Sequence, residues 1–357
     1  MKTLVTGGTG FLGRHLVDQL LDRGDDVRVL TRSFDRELSE RGVEVLEGTL
    51  AATEDVRRAV RGVDRIYHLA GKVERRPDRS YEMYELHVDG TRRLLRAAEG
   101  RDVDKIVVAS TSGTVGVSDD PNFVATEEAN TKESIVREWP YYLSKIYAER
   151  VCREFYRDRD LPVVLMRPTL LLGPGDWRGS STDDIALFLK GDIPALMSGG
   201  ISFVDVRDAA DGFIRAMERG EPGQSYLLGA VNLELSEYFE RLEAITGVSA
   251  PTLPVPNRLM VAGSKFLSSA NRLLGRDSDI DPVSVEMAQY YWYIDSTKAK
   301  RQLDWQPRDP DETLRETVRW IRKHHPDFTD DSTRRAPPSE FVPEETVEYA
   351  RNEREKG

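Results

Sequence analysis

The 357-residue chain has one cysteine, Cys152, so no intrachain disulfide can form. A single thiol fits a reducing compartment, and a cytoplasmic protein is expected. Cys152 itself reads as a small apolar residue on a helix. Histidine is also scarce, with five in all, and no Cys/His group has metal-ligand spacing. No metal is expected. No apolar run approaches the ~18 residues needed to cross a bilayer, so no membrane span is expected. Before Gly7 the only apolar run is Leu4–Val5, too short for a secretory leader. Basic residues are outnumbered, 51 against 62 acidic, for a net charge of −11. That balance argues against nucleic acid as a partner and leaves room for a local basic pocket. Internal repeats are absent. What remains is a soluble, globular composition, long enough for a core and a smaller lobe.

Short β-prone runs at Lys2–Thr6, Val27–Leu30, Val43–Leu46, Arg65–Leu69, Ile106–Ala109 and Val163–Met166 alternate with helical periodicity. The helices are read at Phe11–Leu21, Asp55–Arg61, Tyr81–Glu99 and Tyr142–Tyr156. This rhythm predicts an α/β fold: a Rossmann-type, doubly wound parallel sheet covered on both faces. It breaks after Arg167, and a smaller C-terminal α/β substrate lobe is expected. The division reads as a core over 1–172, rejoined by a strand and helix at about 202–230, and a lobe over 173–325. Pro251, Pro254 and Pro256 mark a linker before an amphipathic helix at Arg258–Leu274, and 326–357 is a polar tail.

The first chemical motif, Thr6-Gly7-Gly8-Thr9-Gly10-Phe11-Leu12-Gly13, follows the first strand and opens the first helix. Gly7 permits a tight turn, Gly10 lets the backbone approach a pyrophosphate, and Gly13 lets helix and strand pack closely. The phosphates meet free N–H groups at the helix N-terminus. A dinucleotide is therefore expected on Gly7, Thr9, Gly10, Phe11, Leu12 and Gly13. At the end of the second strand a carboxylate would take a ribose 2′-OH, and an arginine a 2′-phosphate. Arg32 and Ser33 stand there, with Arg36 nearby and no acid before Asp35. NADP(H) is thus preferred, with NAD(H) the alternative.

The second motif is split. Ser112 lies just beyond the fifth strand, where such sheets present groups to a ligand. Tyr141 and Lys145 are spaced i, i+4, on one face of a helix. Carbonyl reduction needs a proton for the developing alkoxide. A free Tyr has a pKa of about 10, and a neighbouring ammonium lowers it. Tyr141 is read as the proton donor, Lys145 as its tuner and ribose ligand, and Ser112 as the hydroxyl that orients the carbonyl oxygen.

With these motifs the chain resembles the extended short-chain dehydrogenase/reductases, from Lys2 to about Lys323. Further matching pieces are His68-Leu69-Ala70-Gly71, Arg167-Pro168-Thr169, Gly173-Pro174-Gly175-Asp176, Phe203–Asp208, Asp295–Ala299 and Leu303–Pro307. By this resemblance Leu69, Ala70 and Gly71 line the cofactor, and Pro168 to Leu170 meet its nicotinamide end. Where the family often has Gly-Asp-Leu on the adenine, Gly48-Thr49-Leu50 stands here, leaving Thr49 and Leu50 as contacts without the carboxylate. A family Asn before Gly-Thr is His87, read as a structural replacement. Gly113-Thr114 lacks the Asp-Glu of nucleotide-sugar dehydratases, and Pro168-Thr169 is similar to the dihydroflavonol-reductase and 3β-hydroxysteroid-dehydrogenase branch. The resemblance implies a dimer through the helices Tyr81–Glu99 and Tyr142–Tyr156, or else a monomer.

The expected activity is NADPH-dependent reduction of a ketone or aldehyde, reversible as alcohol oxidation, on an apolar or aromatic small molecule. Trp139, Tyr142, Trp177, Phe203 and Tyr290–Tyr293 supply aromatic side chains for its pocket, and Phe266 on the amphipathic helix is placed at its border. The rival readings are an NAD-dependent nucleotide-sugar epimerase, disfavoured by Arg32 and Pro168-Thr169, and a non-catalytic NADP-binding redox sensor, disfavoured by the intact Ser, Tyr and Lys.

Overall fold

The computed structural model describes residues 1–73, 80–193, 195–253, 255–273 and 282–325, the side chains of 266–273 excepted. The strands are β1 (Lys2–Thr6), β2 (Asp26–Thr31), β3 (Glu44–Glu47), β4 (Arg65–His68), β5 (Lys105–Ala109), β6 (Val163–Pro168), β7 (Leu170–Leu172), β8 (Gly200–Asp205), β9 (Ser225–Leu228) and β10 (Val231–Glu234). The helices of the first half are α1 (Phe11–Asp22), α2 (Arg36–Glu40), α3 (Thr53–Val60), α4 (Ser80–Tyr84), α5 (Gly90–Ala98), α6 (Glu133–Val136) and α7 (Pro140–Arg159). Those of the second half are α8 (Asp183–Lys190), α9 (Val206–Arg219), α10 (Leu235–Thr246), α11 (Asn257–Leu273), α12 (Pro282–Met287), α13 (Thr297–Gln302) and α14 (Pro310–His324).

Seven strands form a parallel sheet in the order β3-β2-β1-β4-β5-β6-β9. Their central residues are apolar on both sides, as a sheet covered on two faces requires. One face packs Leu16, Val17 and Leu20 of α1 with Phe213 and Ile214 of α9. The other packs α3, α5 and α7 through Val56, Leu94, Leu95, Val151, Cys152 and Phe155. Truncating a residue such as Leu16 to Ala would cost about 2–5 kcal/mol. Strand order reverses between β1 and β4, whose last residues, Thr6 and His68, are register partners. A ligand crevice opens beyond strand ends at such a reversal.

Sequence periodicity missed two local features. Asp35 accepts a hydrogen bond from the Leu38 N–H and caps α2, a short helix between the second and third strands, where periodicity names no element. The helix expected over Tyr81–Glu99 is three pieces, because Glu85–Asp89 is a π-turn between α4 and α5. Such a turn holds one surplus residue and often marks a functional position.

The segment after Arg167 is divided between two sheets. β9 extends the large sheet, whereas β8 pairs parallel with β7 and antiparallel with β10. Around this small sheet α8, α10 and α14 bury Phe188, Tyr238, Phe239, Leu314 and Ile321. Residues 290–294 then run between core and lobe. Ser118 and Tyr291 exchange main-chain hydrogen bonds, Ala125 N donates to Tyr293, and Gly200 N donates to Tyr290. On α11 the expected apolar side shows Leu259 and Ala262 exposed and Ser264 buried. The side chains of Phe266, Leu267, Ala270 and Leu273, and the polar tail from 326, lie outside the described residues.

Candidate active site

The glycine turn sits at the strand-order reversal. Gly7 has φ +77°, and a Cβ there would come within 2.6 Å of the Ala70 nitrogen, so this turn and the Leu69–Gly71 segment after β4 touch. A Cβ on Gly13 would lie 2.0 Å from the Gly7 carbonyl oxygen. Gly10 is the N-cap of α1, with no side-chain cap and no acid in the first turn. The leading N–H groups of α1 therefore face outward in a cradle lined by backbone, which fits a pyrophosphate. Leu69 N donates to the Thr6 carbonyl and holds the Leu69–Gly71 segment along that cradle. Arg32 and Ser33 are exposed at the end of β2. Asp35 is engaged by the α2 cap and by Arg14, at 2.9 Å. Arg36 is held on its own helix by Glu40, at 2.7 Å. Thr49 is exposed, its N–H bound to Asp55, and Leu50 is buried against Gly90. Pro168 closes β6 and Leu170 opens β7.

Tyr141 and Lys145 occupy the first turns of α7, which starts with Pro140 at its N-terminus. Lys145 is buried and donates to the Ala109 carbonyl at 2.9 Å, reaching the end of β5. Burial lowers its pKa to about 8, against the raising effect of Cys152 and Glu149. Burial also raises Tyr141, to about 12, and a hydrogen bond from Thr111 acts against the rise. Desolvation of the phenol is the larger effect on Tyr141 and sets the direction of its shift. The phenol is fully protonated at neutral pH, the state a proton donor needs.

The hydroxyl that acts on the Tyr141 phenol is that of Thr111, one residue before Ser112, and the same Thr111 Oγ1 accepts from the Gly113 N–H at 3.4 Å. Ser112 is buried at the start of a 3-10 turn, Ser112–Thr114, and its carbonyl accepts from Val115 and Gly116. Sequence reasoning chose between adjacent hydroxyls and named only Ser112.

It also missed a polar network behind these groups. Glu149, one turn after Lys145, is fully buried and pairs with buried Arg167 through Nε, at 2.8 Å, and a terminal nitrogen, at 2.6 Å. Glu149 accepts from Ser110 Oγ at 2.6 Å and Thr114 Oγ1 at 3.1 Å as well. A lone acid on the Tyr141/Lys145 helix face was the available signal. The buried histidines form a second chain. Lys72 N–H donates to His87 Nε2 at 3.0 Å, so the proton is on Nδ1, which donates to Ser144 Oγ at 2.8 Å. Ser144 then donates to the Tyr141 carbonyl at 2.7 Å. Thr91 donates to the His87 carbonyl, so His68 Nε2 donates to Thr91, and its Nδ1 accepts from Thr6 at 2.7 Å. Burial, helped by Lys145, drops the His68 pKa to about 3 and pulls His87 well below its usual value. Both rings are neutral, which fits positioning rather than base chemistry for His87.

Around Tyr141 lies an aromatic cluster. Its ring meets that of Tyr142 edge-on at 5.1 Å and that of His87 at 5.9 Å. Tyr142 lies beside Trp292 at 5.1 Å, and Trp139 contacts Tyr142, Tyr290 and Trp292. A Cβ on Gly113 would come 2.2 Å from the Tyr142 ring, so glycine there lets this cluster lie on the hydroxyl turn. Phe203 is in the lobe core beside Tyr238, and Trp177 packs on Trp320 and His324, both away from the cluster. Among the described residues no group of His, Cys, Asp and Glu could hold a metal, and no helix is long and apolar enough to cross a membrane.

Comparison with known proteins agrees with this geometry. The model of the NAD dependent epimerase/dehydratase family matches residues 3–229, ending just beyond β9. A putative dihydroflavonol 4-reductase of Synechocystis sp. is 29% identical over 90% of this chain and 94% of its own length. Sterol demethylase protein B of Methylococcus capsulatus is 31% identical over 90% and 99%. Among solved structures, gox2253 superposes with a TM-score of 0.78 at 30% identity, covering 90% of this chain and 98% of that one. By its strand order, its glycine turn and these matches, the chain belongs to the NAD dependent epimerase/dehydratase family, the extended short-chain dehydrogenase/reductases, and is an NAD(P)-dependent oxidoreductase.

Proposed function

We propose that the protein is an NADPH-dependent reductase of ketones or aldehydes, working reversibly on an apolar or aromatic substrate. The observation that carries this reading is Tyr141 on one helix face with buried Lys145, its phenol protonated and its ring against an aromatic cluster. Two relatives are named as a putative dihydroflavonol 4-reductase and a sterol demethylase protein B, which supports an apolar substrate.

When bound, the dinucleotide supplies the hydride that the carbonyl carbon receives. Gly7, Thr9, Gly10, Phe11, Leu12 and Gly13 would cradle its phosphates, with Leu69, Ala70, Gly71, Thr49, Leu50, Pro168 and Leu170 along its length. Arg32 and Ser33 would take the 2′-phosphate, since Asp35 is already occupied and does not compete for the ribose. Tyr141 donates its proton to the carbonyl oxygen. Thr111 and Ser112 orient that oxygen, and Lys145 holds the ribose and stabilises the phenolate left behind. Tyr142 and Trp292 exclude water and seat the apolar body of the substrate.

The test is oxidation of NADPH, with NADH in parallel, against a panel of apolar and aromatic carbonyls. Turnover that Tyr141→Phe abolishes, with NADPH binding intact, is expected. Tight cofactor binding with no turnover on any carbonyl would overturn the reading.

A further inference from the structure

Glu149 has a place in the site that neither the glycine turn nor the Tyr–Lys pair explains. It is on α7, one turn beyond Lys145, and 1% exposed. A buried carboxylate is costly unless partnered, and Arg167 satisfies it with two nitrogens, at 2.8 and 2.6 Å. That pair alone would be a structural ion pair. The other partners are what distinguish it: Ser110 Oγ at 2.6 Å and Thr114 Oγ1 at 3.1 Å, the two residues that bracket Thr111, Ser112 and Gly113. Thr114 also donates to the Thr111 carbonyl at 3.0 Å. Arg167 extends the same frame to the Glu127 carbonyl, at 3.1 Å, and is followed directly by Pro168.

We propose that Glu149 is the positioning residue of this active site: its carboxylate locks the Ser110–Thr114 turn to the helix carrying Tyr141 and Lys145, fixing hydroxyl, phenol and ammonium in one arrangement. The inference rests on the reductase reading for its catalytic consequence. It has a second, electrostatic consequence. Lys145 is faced by Tyr141, Glu149 and Cys152 from its own helix, by His68 from β4 and by His87 from the π-turn. The two histidines are neutral, Cys152 and Glu149 are the groups that favour the ammonium, and of these only Glu149 is ionised at neutral pH, its charge partly countered by Arg167 and by Arg153 at 2.8 Å.

Ser110→Ala and Thr114→Val release the turn and leave the Glu149–Arg167 pair intact. Each is expected to lower kcat about tenfold or more, with the KM for NADPH unchanged and the fold retained by circular dichroism. Glu149→Gln removes the charge. In the free protein the pH midpoint for acylation of the Lys145 amine, read by peptide mass, is expected to fall by about one unit. A kcat within about twofold of wild type in both hydroxyl variants, or an unmoved Lys145 midpoint, would overturn the proposal. If Glu149→Gln does not fold, the hydroxyl variants decide. A wild type that reduces no carbonyl would sink the reductase reading, while the labelling midpoint still tests the Glu149–Lys145 link.

Discussion

Replacing Thr111 by Val keeps the shape of the side chain and removes the hydroxyl that holds the Tyr141 pKa down and caps the Ser112–Thr114 turn. Two effects follow. The phenol, desolvated by the fold, loses the hydroxyl that offsets that desolvation, and an unsatisfied buried polar group costs about 1–3 kcal/mol. If that loss falls on the transition state, it converts to about 5- to 150-fold in kcat. The Thr111 bond also works against the burial that raises the Tyr141 pKa to about 12, so without it the phenolate is harder to form. Alcohol oxidation needs that phenolate at the outset and carbonyl reduction does not. Thr111→Val should therefore slow oxidation more than reduction, with the difference shrinking as pH rises. The assay is kcat in both directions over a pH series, with NADPH binding measured by fluorescence to show an intact cradle. Rates within about threefold of wild type in both directions would refute the reasoning. Loss of activity in Ser112→Ala instead would transfer the hydroxyl role to Ser112.

Arg32→Ala should raise the KM for NADPH about 5- to 30-fold, a loss of ~1–2 kcal/mol from an exposed charge-assisted bond, and leave NADH kinetics alone; equal effects on both cofactors would remove Arg32 from the 2′-phosphate site. Gly13→Ala should abolish binding of either dinucleotide, because the new methyl would sit 2.0 Å from the Gly7 carbonyl, and calorimetric titration reads it directly. Stability should fall on acidification. His68 and His87 are held neutral in the fold, His68 with a pKa of about 3, and ionise near 6.5 once unfolded. Their contribution is thus whole above pH 6.5 and declines below it, by about 1.4 kcal/mol per pH unit for each histidine, down to pH 3 for His68. Denaturant melts of wild type and His68→Asn between pH 7 and 5 check this, and parallel curves would discard it.

The sheet was legible because parallel strands buried on two faces leave short, almost continuous apolar runs between helices of a different period. The glycine turn was legible because its spacing is set by backbone contacts that only glycine permits, as at Gly7 and Gly13. Tyr141 and Lys145 share a helix, so spacing alone puts them on one face. The same periodicity gives Glu149 that face too but says nothing of Arg167, which arrives from a neighbouring strand. Thr111 and Ser112 are adjacent where an extended chain turns into a 3-10 helix, and side-chain direction reverses at each step there. Sequence order cannot choose between them. The π-turn hides for a related reason, since one surplus residue spoils a 3.6-residue count without any breaker to announce it. β7 has three residues, too few for any pattern.

The stretch 290–294 is sewn to both halves of the molecule. Ser118 and Ala125 hold one side, while Gly200 and Asn232 hold the other, each through main-chain groups of the stretch. A door-like swing of the lobe would have to tear these stitches together, at about 1 kcal/mol apiece. Substrate entry and product exit then fall to faster, smaller movements. The half-buried Trp292 and Tyr142 rings lie against each other beside this stretch, and Trp292 donates its indole N–H to the Met287 carbonyl at 3.1 Å, so motion here is a matter of side chains and not of backbone.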